Sequence, residues 1–440
     1  MTHELSPQLL ESFSRDFNAD PKNQVISRAA RRSGLLEAAY NPAVSQRLNR
    51  TFSIELDTDN VTNQQQSGRC WLFSTLNVVR HNFGKANKAK NFTFSQSYNF
   101  FWDKIERANY FYDRIIATAD RPLTDRTVRG YFDWCQTDGG QWHMAASLIA
   151  KYGVVPAYAM PESFNSNHSQ ALDMVLADKE RKDALTLRRL AQAGDQEKLE
   201  AARTDFLSQI YRIMATALGE PPKTFDLEFR DDDKNYHLDK GLTPVQFYKK
   251  YCATDLDDYV VLANAPDHEM NRVLHLGFED NIKGGYPNLF INVPMEYLED
   301  AAIAQLKDGE AVWFVWFGND VGRQMDRKTG FMDLDLYQLD QLLDIDSHLP
   351  KADRLATGIG ESSHDMALVG VDVDGGQVRQ WKVENSWGDK SGEKGYFTMS
   401  ADWFREYTYE VAVQKKHVPA EILDLLKNQP IELDPWDSLI

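Results

Sequence analysis

What most constrains the fold of this chain is a change of character near residue 258. Before it, apolar residues recur at helical spacing: two helices are predicted over 5–50, then helices over 70–83, 95–118 and 142–152, the last closed by Gly153. Residues 170–218 are rich in Ala, Leu, Glu, Lys and Arg, which predicts a helical insertion ended by Pro221-Pro222 and a charged loop, Asp231-Asp232-Asp233-Lys234. A further helix is predicted over 243–252, capped by Thr243 with Pro244 in its first turn. After residue 258 come short apolar runs at 259–262, 289–293, 311–317, 366–373, 380–384 and 395–399, bounded by Pro, Gly and Asp. Those read as strands, and 52–56 alternates like one earlier strand. Helices first and strands later imply an α+β fold in two halves, with a cleft between them suited to a site.

Composition removes several function classes. A formal net charge of −17 repels nucleic acid, and neither Arg28-Ala29-Ala30-Arg31-Arg32 nor the lysines of 85–90 make a patch that outweighs it. The longest apolar run, 311–317, is far too short to span a bilayer, so no membrane association is expected. The start, Met1-Thr2-His3-Glu4-Leu5-Ser6-Pro7, has neither a basic segment nor an apolar signal core. With only three cysteines, the expected location is cytoplasmic. Cys70, Cys135 and Cys252 lack paired metal-ligand spacing, and His268 and His275 lie seven apart on a polar stretch, so no metal is expected. Cys135 and Cys252 read as buried structural thiols. The aromatic load of 95–118 (Tyr98, Phe100, Phe101, Trp102, Tyr110, Phe111, Tyr112) reads as core or subunit interface.

The remaining cysteine sits in Gln64-Gln65-Gln66-Ser67-Gly68-Arg69-Cys70-Trp71-Leu72-Phe73, at the seam between a polar loop and a predicted helix. The positive end of a helix favours thiolate over thiol there. A thiolate nucleophile needs a base, and the base needs an orienting group. His364, in Ser362-Ser363-His364-Asp365-Met366, opens one predicted strand; Asn385 ends the next, in Val383-Glu384-Asn385-Ser386-Trp387-Gly388. Two antiparallel strands turning at Asp374-Gly375-Gly376 would bring both residues to one edge, where the Asn385 side-chain oxygen can accept from one imidazole nitrogen while the other faces the thiol. Gln64 can donate an amide N–H beside the Cys70 backbone N–H to a developing oxyanion. Singly each residue has an ordinary structural reading. Their joint appearance is far more specific.

Gln64, Cys70-Trp71, His364 and Asn385-Ser386-Trp387-Gly388 together resemble the papain superfamily of cysteine peptidases, in its bleomycin hydrolase/aminopeptidase C branch. Ser67-Gly68-Arg69-Cys70-Trp71, Asp138-Gly139-Gly140-Gln141-Trp142, Lys151-Tyr152-Gly153-Val154-Val155-Pro156, Lys307-Asp308-Gly309-Glu310-Ala311-Val312-Trp313-Phe314 and Lys416-His417-Val418-Pro419 resemble that branch too. Ser67 stands where secreted relatives carry a disulfide-forming cysteine, in keeping with a cytosolic protein. The resemblance implies a papain-like fold with helical insertions: an N-terminal helical extension (1–57), a helical half with the nucleophile (58–165), a helical insertion (166–255), a β half with the histidine and asparagine (256–415), and a C-terminal helix and arm (416–440). It implies Cys70 as nucleophile, His364 as general base then acid, Asn385 as its orienter, Gln64 as oxyanion donor and Trp387 as a shield over the Asn385–His364 contact. Gly139 and Gly140 would lie along the substrate backbone. Peptides would be hydrolysed through a thioester, without a cofactor, by a homohexamer.

The resemblance also gives the tail a task, that of an arm whose terminal carboxylate meets the substrate's free amino group. Here the chain ends Leu433-Asp434-Pro435-Trp436-Asp437-Ser438-Leu439-Ile440, about three residues short of the usual pattern and with a bulky last residue. Extended chain covers at most ~3.3–3.6 Å per residue, so the Ile440 carboxylate could be withdrawn by roughly 10 Å. An arm that still reaches makes an aminopeptidase; one that falls short makes an endopeptidase or oligopeptidase. A non-catalytic assembled binding protein is the reading from another class. Asp365, where the branch usually has Ala, would either raise the His364 pKa and stabilise a thiolate–imidazolium pair, or face solvent.

Overall fold

A computed structural model of the chain describes residues 4–58, 60–317, 324–360 and 362–439. The nucleophile helix, Cys70–Asn87, is buried along most of its length, because thirteen of its first fourteen positions after the loop pack inward against neighbouring elements, with only His81 partly open. It lies between the helices Gln96–Ala117 and Trp142–Tyr152 on one side and the long strand Ser362–Asp374 on the other. One continuous apolar core joins the two halves, with Trp71, Trp142 and Trp313 buried in it. Tyr98, Phe100, Phe101, Phe111 and Tyr112 are buried within the chain, and Trp102 stacks on Tyr152 with centroids 4.2 Å apart.

The β half is a mostly antiparallel sheet. Its centre runs Tyr259–Ala263, Thr408–Gln414, Val312–Phe317, Ser362–Asp374, Gln377–Glu384 and Tyr396–Ser400 in spatial order. The histidine and asparagine strands form a tight hairpin in which Asp374 pairs with Gln377 across Gly375 and Gly376. Both glycines have positive φ (58° and 86°), the conformation that a two-residue hairpin turn demands. This is the α+β, papain-like layout expected from the sequence.

Several local expectations fail. The segment 166–255 is helical only in part: after the helical pair Gln170–Ala193 and Gln196–Leu218 comes a hairpin, Phe225–Arg230 with Tyr236–Leu242, turning on the charged loop. Phe225 and Leu227 are buried from that hairpin, an alternation hidden because Asp226, Glu228 and Arg230 fill every other position. Residues 5–50 form four helices rather than two, Pro7–Ala19, Pro21–Ser33, Leu35–Ala39 and Val44–Arg47. The C-terminal segment holds one short helix, Ala420–Leu423, between 3-10 turns, and then the strand Ile431–Glu432. Cys135 and Cys252 are buried, each in an apolar cluster.

Candidate active site

The loop before the nucleophile is held by its own polar groups. Gln64 Nε2 donates to the Ser67 carbonyl (2.6 Å), Ser67 Oγ donates to the Gln64 carbonyl (2.7 Å), and Arg69 Nε donates to Ser67 Oγ (2.9 Å). Arg69 is fully buried, pairs with Glu162 (2.9 Å) and lies 5.0 Å from the ring centroids of both Phe73 and Phe100. Its role was not foreseen, since one arginine in a polar loop carries no signal of burial. Arg69 also caps the helix without a side-chain acceptor, so no cap consumes the first-turn N–H groups that surround Cys70.

Cys70 is the first residue of that helix and is 5% exposed. Its thiol donates to Asp365 Oδ2 at 3.3 Å. Asp365 therefore neither faces solvent nor acts as the sequence reading supposed: it is buried against the sulfur. Burial pushes the Cys70 thiol well up and the Asp365 charge adds to that, outweighing the backbone N–H groups of Asp365 and Trp71. Burial likewise raises the Asp365 carboxyl far above the usual range. Desolvation thus opposes the helix end that favours thiolate.

His364 and Asn385 meet as the hairpin topology requires, with Nε2 and Oδ1 3.0 Å apart. Asn385 is fully buried, and its Oδ1 also accepts from the Ser386 backbone N–H (2.7 Å), which fixes the amide orientation. With the Nε2 hydrogen directed at Oδ1, Nδ1 carries the lone pair that can exchange a proton with sulfur. Trp387 stacks on the imidazole (centroids 4.7 Å, planes 28° apart) and carries the Arg327 guanidinium on its ring at 3.9 Å. Burial lowers the His364 pKa to about 4, with the Arg327 charge acting in the same direction against the Asn385 contact. Burial thus opposes charge on both the thiol and the imidazole.

Ser386 ties the two halves together. Its hydroxyl donates to Gln64 Oε1 (2.6 Å) and its carbonyl accepts the Gln64 backbone N–H (2.8 Å). Gln64 is thereby fixed with one amide hydrogen on Ser67 and a second in the same NH2 group for a ligand.

Gly139 and Gly140 have different jobs. A Cβ on Gly139 would meet nothing within 4 Å, whereas one on Gly140 would lie 2.8 Å from the Trp71 ring. So Gly140 admits the tryptophan after the nucleophile, and only Gly139 leaves room for a substrate backbone. Trp71 Nε1 donates to the Asp138 carbonyl (2.6 Å), while Asp138 receives the Gly68 N–H (2.9 Å) and pairs with fully buried Lys104 (3.0 Å). Burial opposes ionisation of Asp138, but Lys104, Ser169 and Gly68 prevail and hold it below the ordinary carboxylate range.

The tail returns to this loop. Ile431–Glu432 pairs in parallel with Arg272–His275, Trp436 packs under the Arg126 guanidinium (3.6 Å), and Asp437 meets His268 Nε2 (3.0 Å). Leu439 is fully buried, with its carbonyl accepting from Gln141 Nε2 at 3.4 Å, one residue beyond Gly140. Ile440 lies outside the described residues.

Comparison with known proteins bears on this geometry. The model of the peptidase C1-like family matches residues 4–440. Aminopeptidase W of Lactobacillus delbrueckii subsp. lactis is 98% identical over 440 residues, covering all of both chains. Aminopeptidase C of the same organism is 43% identical, covering 100% of this chain and 98% of its own. The crystal structure of pepw from Lactobacillus rhamnosis superposes with a TM-score of 0.96 at 44% identity, covering 100% of this chain and 99% of that one.

Proposed function

The chain belongs to the peptidase C1-like family, and from that premise and the site's geometry we infer that it is a cysteine-type aminopeptidase using Cys70 as nucleophile. The observation that carries the assignment of residues is Cys70 at a helix start beside the strand that presents the His364–Asn385 pair. Cys70 attacks the peptide carbonyl as His364 Nδ1 takes its proton. Burial opposes charge on both groups, which favours a transfer that accompanies attack. Gln64 Nε2 and the Cys70 backbone N–H hold the oxyanion, the leaving amine takes the proton from His364, and water hydrolyses the thioester by the same relay in reverse. Substrates on this reading are short peptides, and the reaction draws on no cofactor.

Docking of Leu439 on Gln141 favours an arm that reaches the site, and so an aminopeptidase over an endopeptidase. His268 steadies that arm. Its hydrogen bonds to Asp267 and Asp437 raise its pKa to about 10, so its hold on the arm is complete below about pH 6.5 and is lost as pH rises through about 10. One peptide with a free or an N-acetylated terminus separates the two readings: the free form is expected to be cleaved at least about tenfold faster, and Asp437→Asn to narrow that gap. Equal rates in the unaltered enzyme would favour the endopeptidase.

Assembly as a homohexamer finds support at the N-terminus. The helices Pro7–Ala19 and Pro21–Ser33 bury no residue, leaving Leu9, Leu10, Phe13, Phe17 and Val25 exposed on a single chain. Light scattering is expected to give six times the 50.4 kDa chain mass, whereas a persistent monomer at micromolar concentration would contradict it. A cytoplasmic location fits three free, buried cysteines.

A further inference from the structure

The sheet beside Cys70 holds more buried carboxyl groups than the peptidase reaction uses. In the sheet, Asp365 pairs with Val315 on one side, and Val315 pairs with Glu410 on the other. The two acids thus stand in one row, two strand spacings or roughly 10 Å apart at the backbone, and cross-strand partners share a face. Asp365 is the end of the row that touches Cys70. Glu410 is fully buried, and neither of its carboxyl oxygens has a hydrogen-bond partner among the described residues.

A third acid, Glu279, approaches from the turn Gly277–Glu279, within electrostatic reach of both Asp365 and Glu410. Its Oε2 is buried without a partner, and so is Oε1 of Gln141, the residue that receives the tail at Leu439. Arg107 and Arg114 act on Glu279, whereas among the described residues the charges that act on Glu410 are those of the other two acids. Acceptors that converge in a buried place with their lone pairs unused are costly unless a donor arrives.

We infer that Asp365 and Glu410, closed off by Glu279, Gln141 and the tail at Leu439, form a binding site for a primary ammonium group of the peptide substrate. Such a group brings three N–H donors and a positive charge, which is the complement of what the row offers. This rests on the peptidase reading above and adds to it a substrate class. The ammonium can be the α-amino group of the first residue or a lysine side chain. Either would place its peptide against Cys70 through the acid that touches the sulfur. The site also gives the enzyme a means of reading a free amine independent of where Ile440 ends.

The test uses the full-length enzyme and three matched peptides: neutral with a free terminus, the same N-acetylated, and the N-acetylated form carrying lysine. The ammonium-bearing peptide is expected to exceed the neutral acetylated one in kcat/KM by about 10- to 100-fold, mainly through KM, and Glu410→Gln to collapse that ratio. Collapse of the free-terminus ratio assigns the α-amino group; collapse of the lysine ratio assigns the side chain. Ratios near one in the unaltered enzyme, or unmoved by Glu410→Gln, would overturn the site. Because Glu410 is buried and its replacement strains the fold, a second arm uses the unaltered enzyme with n-butylammonium and n-butanol. Competition by the ammonium alone is expected, and equal or absent competition would overturn the proposal. Loss of all Cys70-dependent hydrolysis would instead overturn the peptidase reading, and the site with it.

Discussion

Replacing Cys70 by Ala is expected to lower kcat/KM for any peptide substrate by at least about 10⁴-fold, while the protein stays folded. On the reading proposed above the sulfur is the attacking atom, and Asp365, which touches it, is a weak nucleophile held at the end of a strand. The substitution removes one atom at the first position of the helix, where the backbone bond pattern does not depend on the side chain. An unchanged melting temperature with activity lost would therefore assign the effect to chemistry. Cys70→Ser is expected to be nearly as inactive, because a hydroxyl is a much poorer nucleophile beside an imidazole whose pKa burial has lowered to about 4. Activity surviving in either variant would remove Cys70 from the mechanism.

Replacing Arg80 by Ala is expected to have the largest effect on stability. Arg80, on the nucleophile helix, is 2% exposed and pairs with Glu384, which is 1% exposed. His81 Nε2 lies 2.8 Å from the other Glu384 oxygen, and Arg80 Nη1 donates to the Asn60 carbonyl (2.5 Å). Removing one partner of a buried pair strands the other charge and costs about 3–5 kcal/mol. Glu384 directly precedes Asn385, so a displaced Glu384 also moves the amide that orients His364, and kcat should fall with stability. Burial works against ionisation of Glu384, yet Arg80 and His81 prevail and depress its pKa. Its contribution is then fully present above the unfolded glutamate pKa of about 4.3 and is lost as pH falls through the lower folded value. Chemical denaturation at pH 7 and below pH 4 should show the gap between wild type and Arg80→Ala shrinking at low pH. A variant within about 0.5 kcal/mol of wild type at pH 7 would contradict the role given to this pair.

How much of this was legible in the sequence follows from the range of the forces involved. The nucleophile helix, the His364 strand and the glycine turn are encoded in local periodicity and in φ requirements, which one chain segment reveals alone. The hairpin turning on Asp231-Asp232-Asp233-Lys234 was not legible, because its inward residues, Phe225 and Leu227, alternate with Asp226, Glu228 and Arg230 and lead into a charged loop, which mimics a solvated stretch. Strand Thr408–Gln414 escaped in a similar way: Glu410 interrupts its apolar run, and only the three-dimensional sheet shows that this acid is interior. Gln64, Cys70, His364 and Asn385 are legible as residue types in order. A helix end is a local feature, while the desolvation that opposes it at Cys70 comes from the whole fold packed around it. Asp365 illustrates the same limit. Its identity was noticed, but whether it faced solvent or sulfur depended on a strand nearly three hundred residues from Cys70.

The tail shows the converse. Its docking rests on contacts to residues 126, 141 and 268, whose partners in the tail no sequence pattern marks, so counting residues alone left its reach open. Those contacts place Leu439 against the loop that carries Gly139, which is why a shortened arm remains compatible with an aminopeptidase.

The central claim is that Cys70 forms the thioester. Its most direct test is rapid acid quenching of the enzyme during turnover of a peptide ester, followed by peptide mapping by mass spectrometry. The acyl mass is expected on the segment containing Cys70 and on neither Cys135 nor Cys252, which are buried away from it in apolar clusters. An acyl group on another residue, or turnover continuing after Cys70 has been fully alkylated, would contradict the account.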